Sequence, residues 1–214
     1  MQYINLHTHR FSNQKEVFEI VNQYPNEFSI AIPQYSIGIH PWYIALERLQ
    51  NDIQLISEKL QEKNCLALGE CGLDKRIETP LAIQTTVFQQ QIEMVQTTLK
   101  PIIVHCVAAY EEVIAIKKEM NIKNPIIIHG FSKNKQVAKS LLDNGLYLSF
   151  GKQLLQNPNL EEVFNFVPHT CFFLETDTIT ENIETVYKKA ASIKKVNIEA
   201  LKAQVNENYH NIFK

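Results

Sequence analysis

Apolar residues along this chain gather into short runs, and longer stretches with helical spacing lie between them. Runs rich in β-branched and aromatic residues recur at YINLHTH (3–9), FSIAI (28–32), YSIGIH (35–40), CLALGE (65–70), PIIVHC (101–106), PIIIHG (125–130), GLYLSFG (145–151) and CFFLETD (171–177). Each has the length and composition of a buried strand. Helical spacing is read over 14–23, 44–62, 80–98, 108–120, 133–143 and 159–166. The tail 181–213 reads as two helices, with Asn197 the N-cap of IEALKAQVNENY. Strands alternating with helices build a parallel sheet from βα units. One interval breaks the rhythm, because only Pro33 and Gln34 separate FSIAI from YSIGIH, and parallel neighbours need a crossover of about a dozen residues. The pattern therefore predicts one domain over 1–214: a somewhat distorted TIM-type (β/α) barrel of seven parallel strands, with one irregular element near 28–34.

Length and composition narrow this reading. The 214 residues stand near the lower limit of roughly 200 for a (β/α) barrel. With 45% hydrophobic and 21% charged residues, the chain can bury a core and lacks the composition of disorder. A formal charge of −2 argues against a protein that coats nucleic acid electrostatically. The pairs Lys117/Lys118, Lys188/Lys189 and Lys194/Lys195 have acidic neighbours and read as solvated helix faces. No apolar run approaches the ~20 residues of a membrane span, and the N-terminus lacks a signal-peptide pattern. Cys65, Cys71, Cys106 and Cys171 have no CxxC spacing and read as reduced thiols of a cytoplasmic protein.

The chemistry is carried by position. His7 and His9, His40, Glu70, His105, His129 and Asp177 all fall at the C-terminal ends of predicted strands, which in a parallel barrel meet at the catalytic face. Strand alternation puts His7 with His9 on one side, and Glu175 with Asp177. Each residue alone has a structural reading: a hydrogen-bonded rim histidine, or for Glu70 an ion pair or helix cap. An unneutralised group of imidazoles and carboxylates is costly to bury, and divalent cations are the simplest neutraliser. Two imidazoles on one side of a strand can chelate one ion. His169 precedes a strand and His210 lies in the terminal helix, so both read as structural. Cys71 and Cys106 each follow a ligand candidate by one position and point away. Trp42 and Tyr43 offer either a wall for a base or sugar ring or a packed rim.

In order, NLHTH (5–9), GIHPW (38–42), ALGECGLD (67–74), KPIIVHC (100–106), IIHGFS (127–132), LYLSFG (146–151), FLETD (173–177) and NENYHNIF (206–213) make the chain resemble the TatD family of metal-dependent hydrolases, as a short member. The resemblance implies two divalent ions (Zn, Mn, Mg, Ni or Co), with His7, His9 and Asp177 on one, His105 and His129 on the other, and Glu70 bridging. It implies that Asp177 and Glu70 are catalytic. It also places His40, Trp42, Asp74 and Glu175 near the substrate. The implied reaction is hydrolysis of a phosphoester by metal-activated water, with DNA or RNA ends and small phosphate esters as candidate substrates. Asp177 would take the proton from the attacking water. The chain departs from the family in several places. Val107 stands where many members carry an arginine, Asn5 stands for an aspartate, Arg10 follows HxH, and TITEN replaces a proline-rich loop after Asp177. The alternatives are a related barrel hydrolase acting on another ester and a metal-loaded barrel that binds without turnover.

Overall fold

The computed structural model describes residues 1–213. Eight strands enter one sheet in chain order: β1 (Tyr3–Thr8), β2 (Val17–Gln23), β3 (Tyr35–Ile37), β4 (Cys65–Asp74), β5 (Ile102–Val107), β6 (Ile126–Ile128), β7 (Tyr147–Phe150) and β8 (Phe172–Leu174). The β1–β2, β3–β4, β4–β5 and β7–β8 pairs are parallel. Helices α1 (Leu49–Lys59), α2 (Leu81–Val95), α3 (Tyr110–Glu119), α4 (Lys135–Asp143), α5 (Lys152–Gln156) and α6 (Asn159–Phe166) lie between strands. After β8 come α7 (Ile183–Lys194) and α8 (Ile198–Ile212), and Asn197 accepts the Ala200 amide at 2.8 Å as the N-cap pattern requires. Thr8 bridges Asp177, and the Thr176 and Asp177 amides both donate to the His7 carbonyl. The first strand is thereby tied to the end of the last, the arrangement of a TIM-type barrel.

The strand count is eight, not seven, and the difference lies between residues 9 and 34. The stretch read as a helix over 14–23 contains β2, paired in parallel with β1. The connection at 9–16 contains no helix. When extended it reaches ~27 Å, enough to return along the ~20 Å of a six-residue strand. Residues 28–32 form no strand, and Ile30 is 90% exposed. What hid β2 is its buried Glu19. The Ser12 amide and hydroxyl and the Asn13 amide donate to that carboxylate, so a charge can stand in a buried strand without a cation.

The chain divides into two compact units, residues 1–21 with 128–212 and residues 22–127. In the second unit β4 runs on to Asp74, so Glu70 stands inside a strand and not at its end. The β4–β5 register shifts between Leu68 and Cys71, with Gly69 at φ +137° and Gly72 at φ +141°. A Cβ on Gly69 would lie 2.9 Å from Ile103 Cβ, and one on Gly72 would overlap the His105 carbonyl oxygen. Two residues without side chains let the strands approach where Glu70 meets β5.

In the first unit the buried Tyr187 of α7 donates its hydroxyl to the Ile4 carbonyl at 3.0 Å and accepts the Ile4 amide at 3.1 Å. This fixes α7 against the strand that carries His7. At the end of α7, buried Lys194 donates to the Asn165 and Val167 carbonyls at 3.1 and 2.5 Å. Its ammonium lies over the rings of Phe164 and Phe172, and burial pulls its pKa down to about 8.

Gly72→Ala is expected to cost at least ~3 kcal/mol or to prevent folding, read as the urea midpoint against wild type. For Lys194, the unfolded chain, with a lysine value near ~10.4, binds more protons than the folded one above pH 8. The group's contribution to stability is therefore flat below pH 8 and rises towards pH 10.5, by no more than about 3 kcal/mol. The stability difference between wild type and Lys194→Met should follow that window in urea titrations at stepped pH.

Candidate metal centre

In the first unit the site starts at the end of β1. His7 is fully buried and His9, two residues on, is partly exposed, with their rings edge to face at 5.2 Å. Asp177 reaches them from beyond β8 in a left-handed conformation, φ 52°. Its amide donates to the His7 carbonyl at 2.9 Å, and its own carbonyl accepts the His9 amide at 3.1 Å. Asp177 Oδ1 then lies 3.3 Å from His9 Nε2 and 3.9 Å from His7 Nε2. Asn5 secures the approach. Its Nδ2 donates to Thr176 Oγ1 at 2.9 Å, and its Oδ1 accepts the Thr176 amide at 3.0 Å.

His129 follows β6, its ring 4.4 Å from that of His7. Behind it is Glu175, which is fully buried. Oε1 of Glu175 lies 3.5 Å from His129 Nδ1 and accepts the Gly130 amide at 2.7 Å. Glu175 thus backs an imidazole and presents no exposed surface.

In the second unit Glu70 is the hub. Its amide donates to Asn22 Oδ1 at 2.6 Å, and its Oε1 lies 3.0 Å from His105 Nδ1 and 3.2 Å from His40 Nε2. His40 caps the 3-10 turn Pro41–Tyr43, its Nδ1 accepting the Trp42 amide at 3.1 Å. That bond leaves the neutral ring's proton on Nε2, aimed at Glu70. The other ring nitrogen of His105 lies 3.4 Å from Asp74 Oδ2. Asp74 is buried and accepts the Trp42 indole N–H and the Arg76 amide, both at 2.8 Å. Burial alone would raise its carboxyl, but the Trp42 indole, the Arg76 amide and His105 outweigh it and hold the pKa below the usual range. Gln84 of α2 fixes the backbone there, accepting the Asp74 amide at 2.8 Å and donating to its carbonyl at 2.9 Å.

Within each unit the donors fit a metal ion. Ligand atoms of His7, His9 and Asp177 lie within 4.8 Å of one another, as do those of His40, Glu70 and His105. Mixed imidazole and carboxylate donors suit Zn, Mn, Ni or Co. The side chains of His9 and Asp177 are 24% and 28% exposed, the solvent access a catalytic site keeps. Cys71 and Cys106 are buried and belong to none of the donor groups among the described residues. His169 precedes β8 and His210 lies in α8.

Sequence reasoning names Asn5 only as a departure from the family and does not find Asn22 or Gln84. Each works through backbone groups distant in the chain, and reading 14–23 as a helix concealed Asn22. The signal available for Gln84 and Asn5 was a buried amide at a position whose periodicity asks for an apolar residue. The family resemblance implies His40 near the metals or substrate without requiring it to ligate. The structure sets it against Glu70 with a nitrogen in ligand range.

The family model described as TatD related DNase matches residues 1–214. An uncharacterized metal-dependent hydrolase of Buchnera aphidicola subsp. Baizongia pistaciae is 33% identical over 147 residues, 67% of this chain and 55% of that protein. The uncharacterized metal-dependent hydrolase YabD of Bacillus subtilis is 29% identical over 84% of this chain and 76% of its own length. The chain spans just over half the length of the Buchnera relative. Among solved structures, YjjV, a TatD homologue of Escherichia coli K12, superposes with TM-score 0.85 over 99% of this chain and 97% of its own, at 17% identity. With the family model matched over the whole chain, the chain belongs to the TatD-related DNase family of metal-dependent hydrolases.

Proposed function

We propose that this chain hydrolyses phosphoester bonds with two divalent cations held by His7, His9, Glu70, His105, His129 and Asp177. The observation that carries this reading is that two of these histidines are each backed by a carboxylate on one ring nitrogen. Asp74 faces His105 Nε2, and Glu175 faces His129 Nδ1. A carboxylate behind an imidazole sets its tautomer and orientation and raises its basicity as a ligand. Lone rim histidines need no such support.

Bound divalent cations would polarise the phosphoryl oxygen and make water nucleophilic near neutral pH. The remaining work falls to the chain. Asp177, partly exposed and beside His9, takes the proton of the attacking water and returns it to the leaving group. His40, its Nε2 3.2 Å from Glu70 Oε1, orients that carboxylate. Asn5 holds the segment leading to Asp177 through two hydrogen bonds to Thr176. Val107 ends β5 opposite Asp74, so the β5 arginine of other members has no equivalent there, which favours a small phosphoester over a long strand.

Protein stripped of metal and reloaded with Mg, Mn or Zn is expected to cleave bis-p-nitrophenyl phosphate. Asp177→Asn should lower kcat by ~100-fold to 10,000-fold, a larger loss than its effect on metal affinity read by calorimetry. Equal losses in both would reduce Asp177 to a ligand. Asp74→Asn should weaken metal binding by ~10-fold to 100-fold with little change in the urea midpoint. Tight metal binding without turnover of any phosphoester would overturn the proposal.

A further inference from the structure

Against Trp42, whose ring meets those of His40 and His105, the second unit holds a cavity of about 390 Å³, lined by Tyr24, Asn26, Glu27, Trp42, Tyr43 and Arg48 among others. Its size lies at the lower end of small-molecule sites, ~300–1,000 Å³. Two of its aromatic rings are open to solvent, with Trp42 56% and Tyr43 46% exposed. Scattered exposed aromatics need no explanation, but these two are adjacent and held in place. The Trp42 amide donates to His40 Nδ1 and its indole N–H to Asp74 Oδ2. Its ring stands edge to face with His40 at 5.1 Å and with His105 at 5.8 Å. Tyr43 is set against Tyr24 at 5.0 Å, and its carbonyl accepts from Arg48 Nη2 at 2.7 Å. The remaining wall offers the Asn26 amide and the Glu27 carboxylate, a donor and acceptors for the edge of a ring.

The geometry points to a stacking subsite: we propose that Trp42 and Tyr43 bind one planar heteroaromatic ring, the base of a single nucleoside phosphoester, and present its phosphate to the adjacent metal-binding group. A fixed aromatic face gains stacking with little loss of side-chain freedom. The cavity holds one nucleoside-sized group, and a chain with formal charge −2 is poorly suited to a long phosphate strand. The same two hydrogen bonds tie the shelf to His40 and to Asp74, the carboxylate that faces His105, so a ring seated there is placed relative to the metal-binding group. This inference rests on the phosphoester reading above for its chemistry, though the ring site can be tested without turnover.

Trp42 is the only tryptophan in the chain, so intrinsic fluorescence reports this shelf alone. Titration of the Mg-loaded chain with adenosine monophosphate should quench it saturably, and ribose 5-phosphate at the same concentrations should not. Equal quenching by both, or by neither, overturns the proposal. So does a ten-residue thymidine oligonucleotide that binds more than ~100-fold tighter than the mononucleotide, because that requires a tract along a strand. Two esters sharing one leaving group test the kinetics: thymidine 5′-p-nitrophenyl phosphate and methyl p-nitrophenyl phosphate. Trp42→Leu should lower the kcat/KM ratio of the first to the second by ~10-fold to 100-fold, mainly through KM. The ratio cancels any loss both esters share through Asp74. Tyr43→Ala, which spares both Trp42 hydrogen bonds, should lower it in the same direction, and an unchanged ratio in both variants overturns the proposal. If neither ester is cleaved while adenosine monophosphate still quenches Trp42, the phosphoester reading fails and the ring site stands.

Discussion

The close approach of β4 to β5 is the constraint on which the second unit's chemistry depends. At Gly69 and Gly72 any side chain would collide with Ile103 or with the His105 carbonyl. With those side chains absent, β4 shifts register and continues to Asp74. One strand then supplies both carboxylates that flank the His105 imidazole, Glu70 at Nδ1 and Asp74 at Nε2. A regular strand ending at residue 70 could place the first but not the second. The register shift is therefore what converts a buried charge into an oriented pair.

The first unit reaches a similar result by a different device. Asp177 lies outside β8, where no ladder holds it, and adopts a left-handed conformation that costs a non-glycine residue free energy. The neighbouring backbone determines it through bonds to both sides of the His7–His9 segment. Asn5 supports this through its side-chain amide. Its amide both donates to the Thr176 hydroxyl and accepts the Thr176 amide. An asparagine here holds Thr176 without adding a negative charge beside the His7–His9–Asp177 group.

These two devices mark the limit of what the chain reveals before it is folded. The alternation of strands and helices, the shared side of His7 and His9, and the Asn197 cap are local patterns, and periodicity or parity suffices to read them. β2 is not local. Its Glu19 and Asn22 become tolerable in a buried strand only through the loop at Ser12 and Asn13 and through the Glu70 amide, so its polar residues read as a helix face. His40 shows the same limit at the site. Its contact with Glu70 depends on a 3-10 turn that caps itself on the histidine ring, and strand parity cannot express that. Gln84 and Gln91 are further cases: each lies buried on a helix and braces a strand-end backbone, at Asp74 and at Ile39. Amphipathic spacing scores both simply as polar.

The position of Trp42 follows from the same economy of contacts. Its indole N–H helps keep Asp74 ionised, and its backbone amide sets the His40 tautomer, so the residue already has two tasks in orienting the ligands around Glu70. Neither task requires the ring to be more than half exposed, since a histidine or asparagine could supply a donor to Asp74 with less apolar surface in water. The exposed face is the part of Trp42 that the metal centre does not explain. On the phosphoester reading proposed above, Val107 in place of the arginine that the family resemblance implies leaves less charge with which to draw a phosphate. Charge attraction is long-ranged and screened by salt, while stacking is short-ranged and largely indifferent to it. On the proposed reading, an exposed, fixed indole replaces attraction at a distance with discrimination at contact, and selectivity moves from the phosphate to the ring it carries.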